Sequence, residues 1–161
     1  MKKILAVLLT LALILSVSAV ALGEGYKIGF SDIYLTPSWM QQMKGMLDTR
    51  VEYWKEKGVV DELYLANANG DNSKQISDIQ NMVAEGYDAI IIIAGSATAL
   101  NNAVDEAMAK GVVVVNTNSL VTTKVTSVLA TSDEEYGATC AQWLCDKLEG
   151  KGKIIMFSGP A

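Results

Sequence analysis

Polar side chains, nearly all of them uncharged, stand where each of four predicted strands ends. They are Ser31 and Asp32 after the first strand, Asn67 and Asn69 after the second, Ser96 after the third, and Asn116 to Ser119 after the fourth. Amide and hydroxyl groups donate and accept hydrogen bonds at the same time, as the hydroxyl groups of a sugar do. These residue types therefore indicate a binding surface for a neutral polar ligand.

Two aromatic side chains lie close to the same predicted edge. Tyr34 is in the loop after the first strand, and Trp39 is in the first turn of the helix that follows. An aromatic ring packs well against the apolar C–H face of a sugar ring. Trp39 is equally consistent with a core position, because its neighbours Met40 and Met43 are core-like.

The residue types that most enzymes use for acid–base or nucleophilic chemistry are missing or scattered. The sequence contains no histidine, which removes Ser-His and Cys-His pairs and the commonest general base. Asp32, Asp71 and Asp88 form no evident acid pair. The turn 31–37 has no glycine, so it fits neither a dinucleotide-binding fingerprint nor a phosphate-binding loop. We therefore predict no catalytic residue, no metal site and no cofactor.

The two cysteines, Cys140 and Cys145, are five residues apart on one predicted helix. This spacing puts them well round the helix from each other, and a disulfide between them would strain it. We predict two small buried hydrophobes.

The charge balance excludes one class of partner. The 161-residue chain has 18 acidic residues against 13 lysines and arginines, a net charge of −5. Binding to nucleic acid requires clustered Lys and Arg, and no such cluster is present. A neutral or cationic small molecule, or a protein, is the expected partner.

The N-terminus has the features of a secretory signal peptide. Lys2 and Lys3 precede an apolar run at 4–15, and Ala19-Val20-Ala21 fits the cleavage pattern. The apolar run is shorter than the roughly 20 residues of a membrane span, although a retained anchor is the alternative. We predict cleavage of residues 1–21 and export to the periplasm or the cell-surface side of a bacterial membrane.

From Tyr26 onward, predicted strands and helices alternate. Strands are expected at 26–31, 63–66, 88–94, 112–115, 125–130 and 153–157, and helices at 37–57, 72–85, 96–110 (or from 98) and 133–149. Asn72 and Gln75 have capping-box spacing at the start of the second helix. The order predicts an α/β fold with a doubly wound parallel sheet, in which ligands bind at the carboxyl ends of the strands.

The strand at 153–157 has no crossover after it to pack against. We interpret this as a chain cut inside a second lobe, with an N-terminal ligand-binding lobe at 26–131 and the crossover and start of an incomplete second α/β lobe at 132–161. The alternative is a small single-lobe protein whose last strand closes the sheet edge.

Several stretches, in this order and spacing, are specific as a set. They are Lys27-Ile-Gly-Phe-Ser31, Thr36-Pro-Ser-Trp39, Asp71-Asn-Ser-Lys-Gln75, Gly86-Tyr-Asp-Ala-Ile-Ile-Ile-Ile93, Ala109-Lys-Gly-Val-Val-Val-Val115, and Ser132-Asp133 followed by Gly137 and Ala141. From Tyr26 to Ala161 the chain resembles the N-terminal lobe of periplasmic sugar-binding proteins of the ribose-binding type, the solute receptors of ABC transporters. The resemblance implies two lobes that close over a sugar.

The resemblance also implies which residues contact the ligand. It places sugar contacts at Thr36 and Trp39, and it puts Asn118 where the family has an Asp that bonds sugar hydroxyls. Ser132 and Asp133 match the family's first crossover, although Ser132 has capping spacing to Glu135 and could cap the helix instead. With the strand-end residues Ser31, Asp32 and Ser96, these complete the predicted ligand-binding set.

The chain departs from the family's pattern at two positions near the fourth strand. Asn118 replaces the usual Asp, and Ser119 replaces a frequent basic residue, so the identity of the ligand is left open.

The resulting prediction is an exported solute receptor, monomeric when full length, that binds a monosaccharide or similar polyol and delivers it to an ABC permease and ATPase complex. A sensory module that signals to a chemoreceptor or kinase is the alternative. An enzyme on a flavodoxin- or Rossmann-like domain is disfavoured, because the glycine loop and an acid–base pair are lacking.

Overall fold

A computed structural model describes residues 25–36 and 38–156. The predicted signal peptide, Pro37 and Phe157 lie outside these residues. The chain divides into two compact units, one ending at Leu129 and one beginning at Ala130.

The described part of the first unit is a parallel sheet with helices on both faces. Its elements are β1 (Tyr26–Asp32), α1 (Ser38–Glu56), β2 (Val60–Asn67), α2 (Asn72–Ala84), β3 (Ala89–Ile93), α3 (Asn101–Ala109), β4 (Val113–Thr117) and β5 (Ser127–Leu129). The strand order is β2-β1-β3-β4-β5, and every pairing is parallel. The predicted α/β doubly wound fold is confirmed.

The apolar strands are covered on both faces. Ile90 and Ile92 of β3 pack in one cluster with side chains of α2 and α3. The alternate residues Ile91 and Ile93 pack in a second cluster with Met40 of α1. Successive side chains of a strand point to opposite faces, so an uninterrupted apolar run suits a strand between two helical layers.

Gly29, in the centre of β1, lets α2 approach the sheet. A Cβ atom at this position would overlap the Sδ atom of Met82 in α2. The missing side chain therefore leaves room for Met82 against the centre of β1.

The start of α2 differs from the predicted capping box. Asp71 is the N-cap, and its side chain accepts hydrogen bonds from the backbone N–H groups of Ser73 and Lys74. Gln75 is fully buried and bonds elsewhere, so the pairing of Asn72 with Gln75 is wrong. Asp71 is the N-cap because its carboxylate there satisfies two otherwise free N–H groups.

Replacing Asp71 by alanine is expected to lower the free energy of unfolding by about 1 kcal/mol, because those two N–H groups lose their acceptor. Urea denaturation followed by circular dichroism measures the loss. Asp71→Asn keeps a side-chain acceptor and is the matched control. An equal loss in both variants would contradict the capping role.

Several predicted boundaries shift, and β4 extends through Asn116 and Thr117, which were expected to follow it. The structure extends β2 to Val60–Asn67 and shortens β5 to Ser127–Leu129. Helix α3 begins at Asn101, after a turn at 97–100, and not at Ser96 or Thr98. β2 pairs with β1 from Val60 to Asn67, with a shift of register at Asp61, and this pairing makes a strand of the polar first half that the sequence did not reveal.

The second unit contains α4 (Asp133–Lys147), which has no buried residue. Cys140 and Cys145 are free and exposed, so the prediction that they are buried is wrong.

Residues 153–156 form no strand, contrary to the predicted strand there. A strand exists only when a neighbour pairs with it, and the described residues supply none. No helix within 25–36 or 38–156 is long and apolar enough to cross a membrane.

Candidate functional site

The carboxyl ends of β1, β3 and β4 lie side by side. Asp32 pairs with Ile93, and Ile92 pairs with Asn116. β2 lies on one side of β1 and β3 lies on the other, so the strand order reverses between β1 and β3. Open α/β sheets form a ligand crevice at such a position. Of the predicted residues of the first unit, Ser31 and Asp32 end β1, Trp39 lies in the first turn of α1, and Thr36, Ser96 and Asn118 lie in loops.

Ser31 and Asp32 are buried at this edge, 1% and 0% exposed. Among the described residues, Ser31 Oγ and Asp32 Oδ2 have no hydrogen-bond partner. The other carboxylate oxygen of Asp32 accepts from Tyr34 N at 3.0 Å. Two buried oxygens with unused bonding capacity are costly, so they favour a polar group arriving from outside; their part in ligand binding stays a prediction.

Burial raises the pKa of Asp32 above its ordinary value, although backbone N–H groups of Tyr34 and Ile33 oppose the shift. A raised native pKa means that the folded state disfavours the charged form. The contribution of this group to stability is therefore full below about pH 4, the unfolded pKa, and is lost as the pH rises through the native pKa.

The variant Asp32→Asn is expected to remove this pH dependence, so that it gains stability relative to the unsubstituted protein as the pH rises above about 4. Each unit of difference between native and unfolded pKa is worth about 1.4 kcal/mol. Urea midpoints measured between about pH 3.5 and 7 test the expectation. Asp61→Asn, at an exposed position, is the control. A stability difference that stays constant with pH would contradict it.

The first loop carries two exposed candidates. Thr36 is exposed, and Trp39 is 50% exposed, so Met40 and not Trp39 supplies the core contact of this turn. Trp39 lines a groove along α1 with Met43 and Met46. The loop is held by Asn67, whose Oδ1 accepts from Leu35 N at 3.3 Å.

Ser96 lies in the loop between β3 and α3. Its Oγ accepts from the backbone N–H groups of Thr98 and Ala99 at 3.4 and 3.2 Å. Its side chain thus closes the turn that leads into α3.

Asn116 and Asn118 have different environments, although only Thr117 separates them. Asn116 is fully buried; its Nδ2 donates to Ile92 O and Ser119 O, both at 2.9 Å, and its Oδ1 accepts from Val121 N at 2.7 Å. Thr117 Oγ1 donates to Leu129 O at 2.7 Å. Asn116 therefore closes the turn that follows β4, whereas Thr117 bonds across to β5.

Asn118 is exposed and has a φ of 59°. Asn tolerates this left-handed conformation better than most residues. No hydrogen bond joins its side-chain amide to another described residue, which leaves the group open to solvent or a ligand.

Ser132 and Asp133 lie in the second unit. Ser132 is the N-cap of α4, and its Oγ accepts from Glu135 N at 3.1 Å. The capping alternative for Ser132 is therefore observed, and its part in ligand binding, like that of Asp133, stays a prediction.

Gln75 is the residue at this edge that the sequence reasoning missed. Its Nε2 donates to Ile93 O at 2.9 Å, and its Oε1 accepts from Gly95 N at 3.0 Å. The spacing from Gln75 to Ile79 and Met82, four and seven residues, puts it on the inward stripe of α2. A polar residue on an apolar stripe was the signal that could have found it.

The chemistry open to this edge is hydrogen bonding by neutral groups. No group of three His, Cys, Asp or Glu side chains among the described residues could hold a metal ion. What the edge offers is an open amide at Asn118 and the exposed Thr36 hydroxyl.

The strand order and the neutral polar edge define one class of protein: doubly wound α/β domains in which small molecules bind at the carboxyl ends of the strands. Residues 28–161 match the model of the periplasmic binding protein domain, and the chain belongs to this family.

Two curated relatives are binding proteins. The xylitol-binding protein of Mycolicibacterium smegmatis is 32% identical over 129 residues, covering 80% of this chain and 36% of the relative. The ribose import binding protein of Bacillus subtilis is 31% identical over 172 residues, covering 99% of this chain and 55% of the relative. The chain thus spans about a third to a half of their length.

A solved structure with the same fold is the fructose-binding periplasmic domain of a hybrid two-component system. It is 26% identical with a TM-score of 0.69, covering 79% of this chain and 41% of that one.

Proposed function

We propose that the complete protein is an exported receptor that binds a monosaccharide or similar polyol and delivers it to an ABC-type permease and ATPase complex. The observation that carries this proposal is the exposed, neutral amide of Asn118 at the carboxyl edge of the sheet, beside the fully hydrogen-bonded Asn116. The family and the names of the relatives, which bind xylitol and ribose, support a sugar or polyol as the ligand.

In this proposal Thr36, Trp39 and Asn118 contact the ligand from the surface of the first lobe. Ser31 and Asp32, buried at the end of β1, and Ser96, in the loop after β3, complete the proposed set in this lobe, and Ser132 and Asp133 belong to the crossover toward a second lobe. Hydroxyl groups of a sugar can donate to side-chain oxygens that have no other partner, and they can accept from side-chain amides. No charge on the ligand is therefore required.

The test is a titration of the complete, processed gene product with ribose, xylose, xylitol, fructose and myo-inositol, followed by calorimetry and tryptophan fluorescence. We expect saturable binding of at least one of them. Adenosine triphosphate and a nicotinamide dinucleotide are the controls, because an enzyme on this fold would bind a nucleotide. Nucleotide binding without sugar binding would refute the proposal.

A sensory receptor is the second candidate, since a structural relative is the periplasmic domain of a hybrid two-component system. Transport and sensing differ in the partner and share the ligand chemistry. Ligand-dependent stimulation of the ATPase activity of the cognate permease complex in vesicles supports transport. Sugar binding without such stimulation favours the sensory role.

A further inference from the structure

The last two carbonyl groups of β3 each accept a hydrogen bond from a buried side-chain amide. Ile93 O accepts from Gln75 Nε2, and Ile92 O accepts from Asn116 Nδ2, both at 2.9 Å. Gln75 comes from the first turn of α2, and Asn116 comes from β4. Two separate elements thus supply the same chemical group at the point where β3 ends.

Each amide also reaches a loop that leaves the edge. Gln75 Oε1 accepts from Gly95 N at 3.0 Å, one residue before Ser96. Asn116 accepts from Val121 N and donates to Ser119 O, so it closes the loop that carries Asn118. In both cases one amide ties a strand end to the loop next to it.

An amide is costly in this place unless both its donor and its acceptor are satisfied. Both side chains are fully buried and use both groups. A leucine would fill similar space at Gln75 without that requirement, so burial alone does not explain the amide. What the amide adds is a fixed position for the loop that it bonds.

We propose that Gln75 and Asn116 are positioning residues of the ligand-binding edge, Gln75 for the loop that carries Ser96 and Asn116 for the loop that carries Asn118. Neither side chain touches the ligand. The proposal rests on the proposed function for its consequence in binding, but its structural part holds with or without a ligand.

The first test needs no ligand. Hydrogen exchange of backbone amides is followed by NMR on the full chain. In Gln75→Leu, exchange at Gly95 is expected to rise at least about tenfold while Val121 stays protected; in Asn116→Leu the pattern is reversed. Gln80→Leu, an exposed glutamine of the same helix, is the matched control and leaves both amides unchanged.

Two further variants cover the case in which the leucine variants do not fold. Gln75→Glu and Asn116→Asp keep the acceptor but place a carboxylate oxygen against a carbonyl of β3. Each is expected to speed exchange in its own loop only. Unchanged exchange at Gly95 and Val121, or an equal rise at both in every variant, would overturn the assignment of one loop to each amide.

The second test uses sugar affinity in crossed double variants of the complete protein. Ser96→Ala is expected to lose most of its effect in the Gln75→Leu background and to keep it with Asn116→Leu; Asn118→Gly should behave in the opposite way. Additive effects in all four combinations would overturn the positioning roles. If the exchange pattern appears and no sugar binds, the proposed function fails and the loop assignment stands.

Discussion

Replacing Ile92 by alanine is expected to lower the free energy of unfolding by about 2–5 kcal/mol. Ile92 is fully buried in the cluster formed with α2 and α3. Removing most of its side chain forfeits the transfer free energy of the lost groups and leaves a cavity between two packed layers, which relax only in part.

Urea denaturation of the full chain at neutral pH, with circular dichroism as the signal, measures this loss. Val113→Ala is the matched control, because Val113 lies in the neighbouring strand but is 44% exposed. Its cost is expected to be well below that of Ile92→Ala. Equal losses would show that the two faces of the sheet are not covered as described.

Replacing Asn118 by glycine is expected to weaken sugar binding by about 1–3 kcal/mol, that is, by a factor of about 5 to 150 in the dissociation constant. The substitution removes the open amide from the edge. Glycine is the informative choice because it accepts the positive φ of 59° without strain, whereas alanine would add a backbone penalty of its own.

Three further variants sharpen this experiment. Asn118→Ala is expected to bind at least as weakly as Asn118→Gly and also to lose stability. The comparison separates the loss of the amide from the backbone penalty. Asn118→Asp keeps an oxygen acceptor and should retain part of the affinity. Asn102→Ala, in an exposed turn of α3, is the control and should leave the affinity unchanged. Unchanged affinity in Asn118→Gly would remove this residue from the site.

The fold could be predicted largely because β3 and the first part of β4 are apolar without interruption. Ala89–Ile93 and the valines before Asn116 read as strands between two layers, and the helical stripes between them fixed the α/β order. β2 was predicted too short, because its polar first half depends on pairing with β1, which local sequence does not reveal. The strand expected at 153–157 failed for the same reason, since pairing is a property of two segments.

The site could be predicted only in part. Strand-end residues were found because topology brings them to one edge, but which of them face outward depends on hydrogen bonds across the sheet. The family resemblance singled out Asn118, but only the structure shows that Asn116 is buried and bonded to Ile92 and Val121 while Asn118 is exposed. Gln75 was assigned to a cap because its spacing fits one, whereas its contacts are far along the chain, at Ile93 and Gly95.

Because β3 and β4 repeat the same apolar side chains, their correct pairing depends in part on contacts at the ends of the strands. Slipping β3 by one residue would exchange isoleucines between two apolar clusters and move one alanine into an isoleucine position, so hydrophobic burial penalises the slipped pairing through little more than one side chain. The slip would, however, take two carbonyl groups away from the amides of Gln75 and Asn116 and leave those amides buried without partners. Hydrogen bonds at the carboxyl edge therefore add to the cost of a slipped register, and errors of pairing in this sheet are penalised at the same edge where the ligand is proposed to bind.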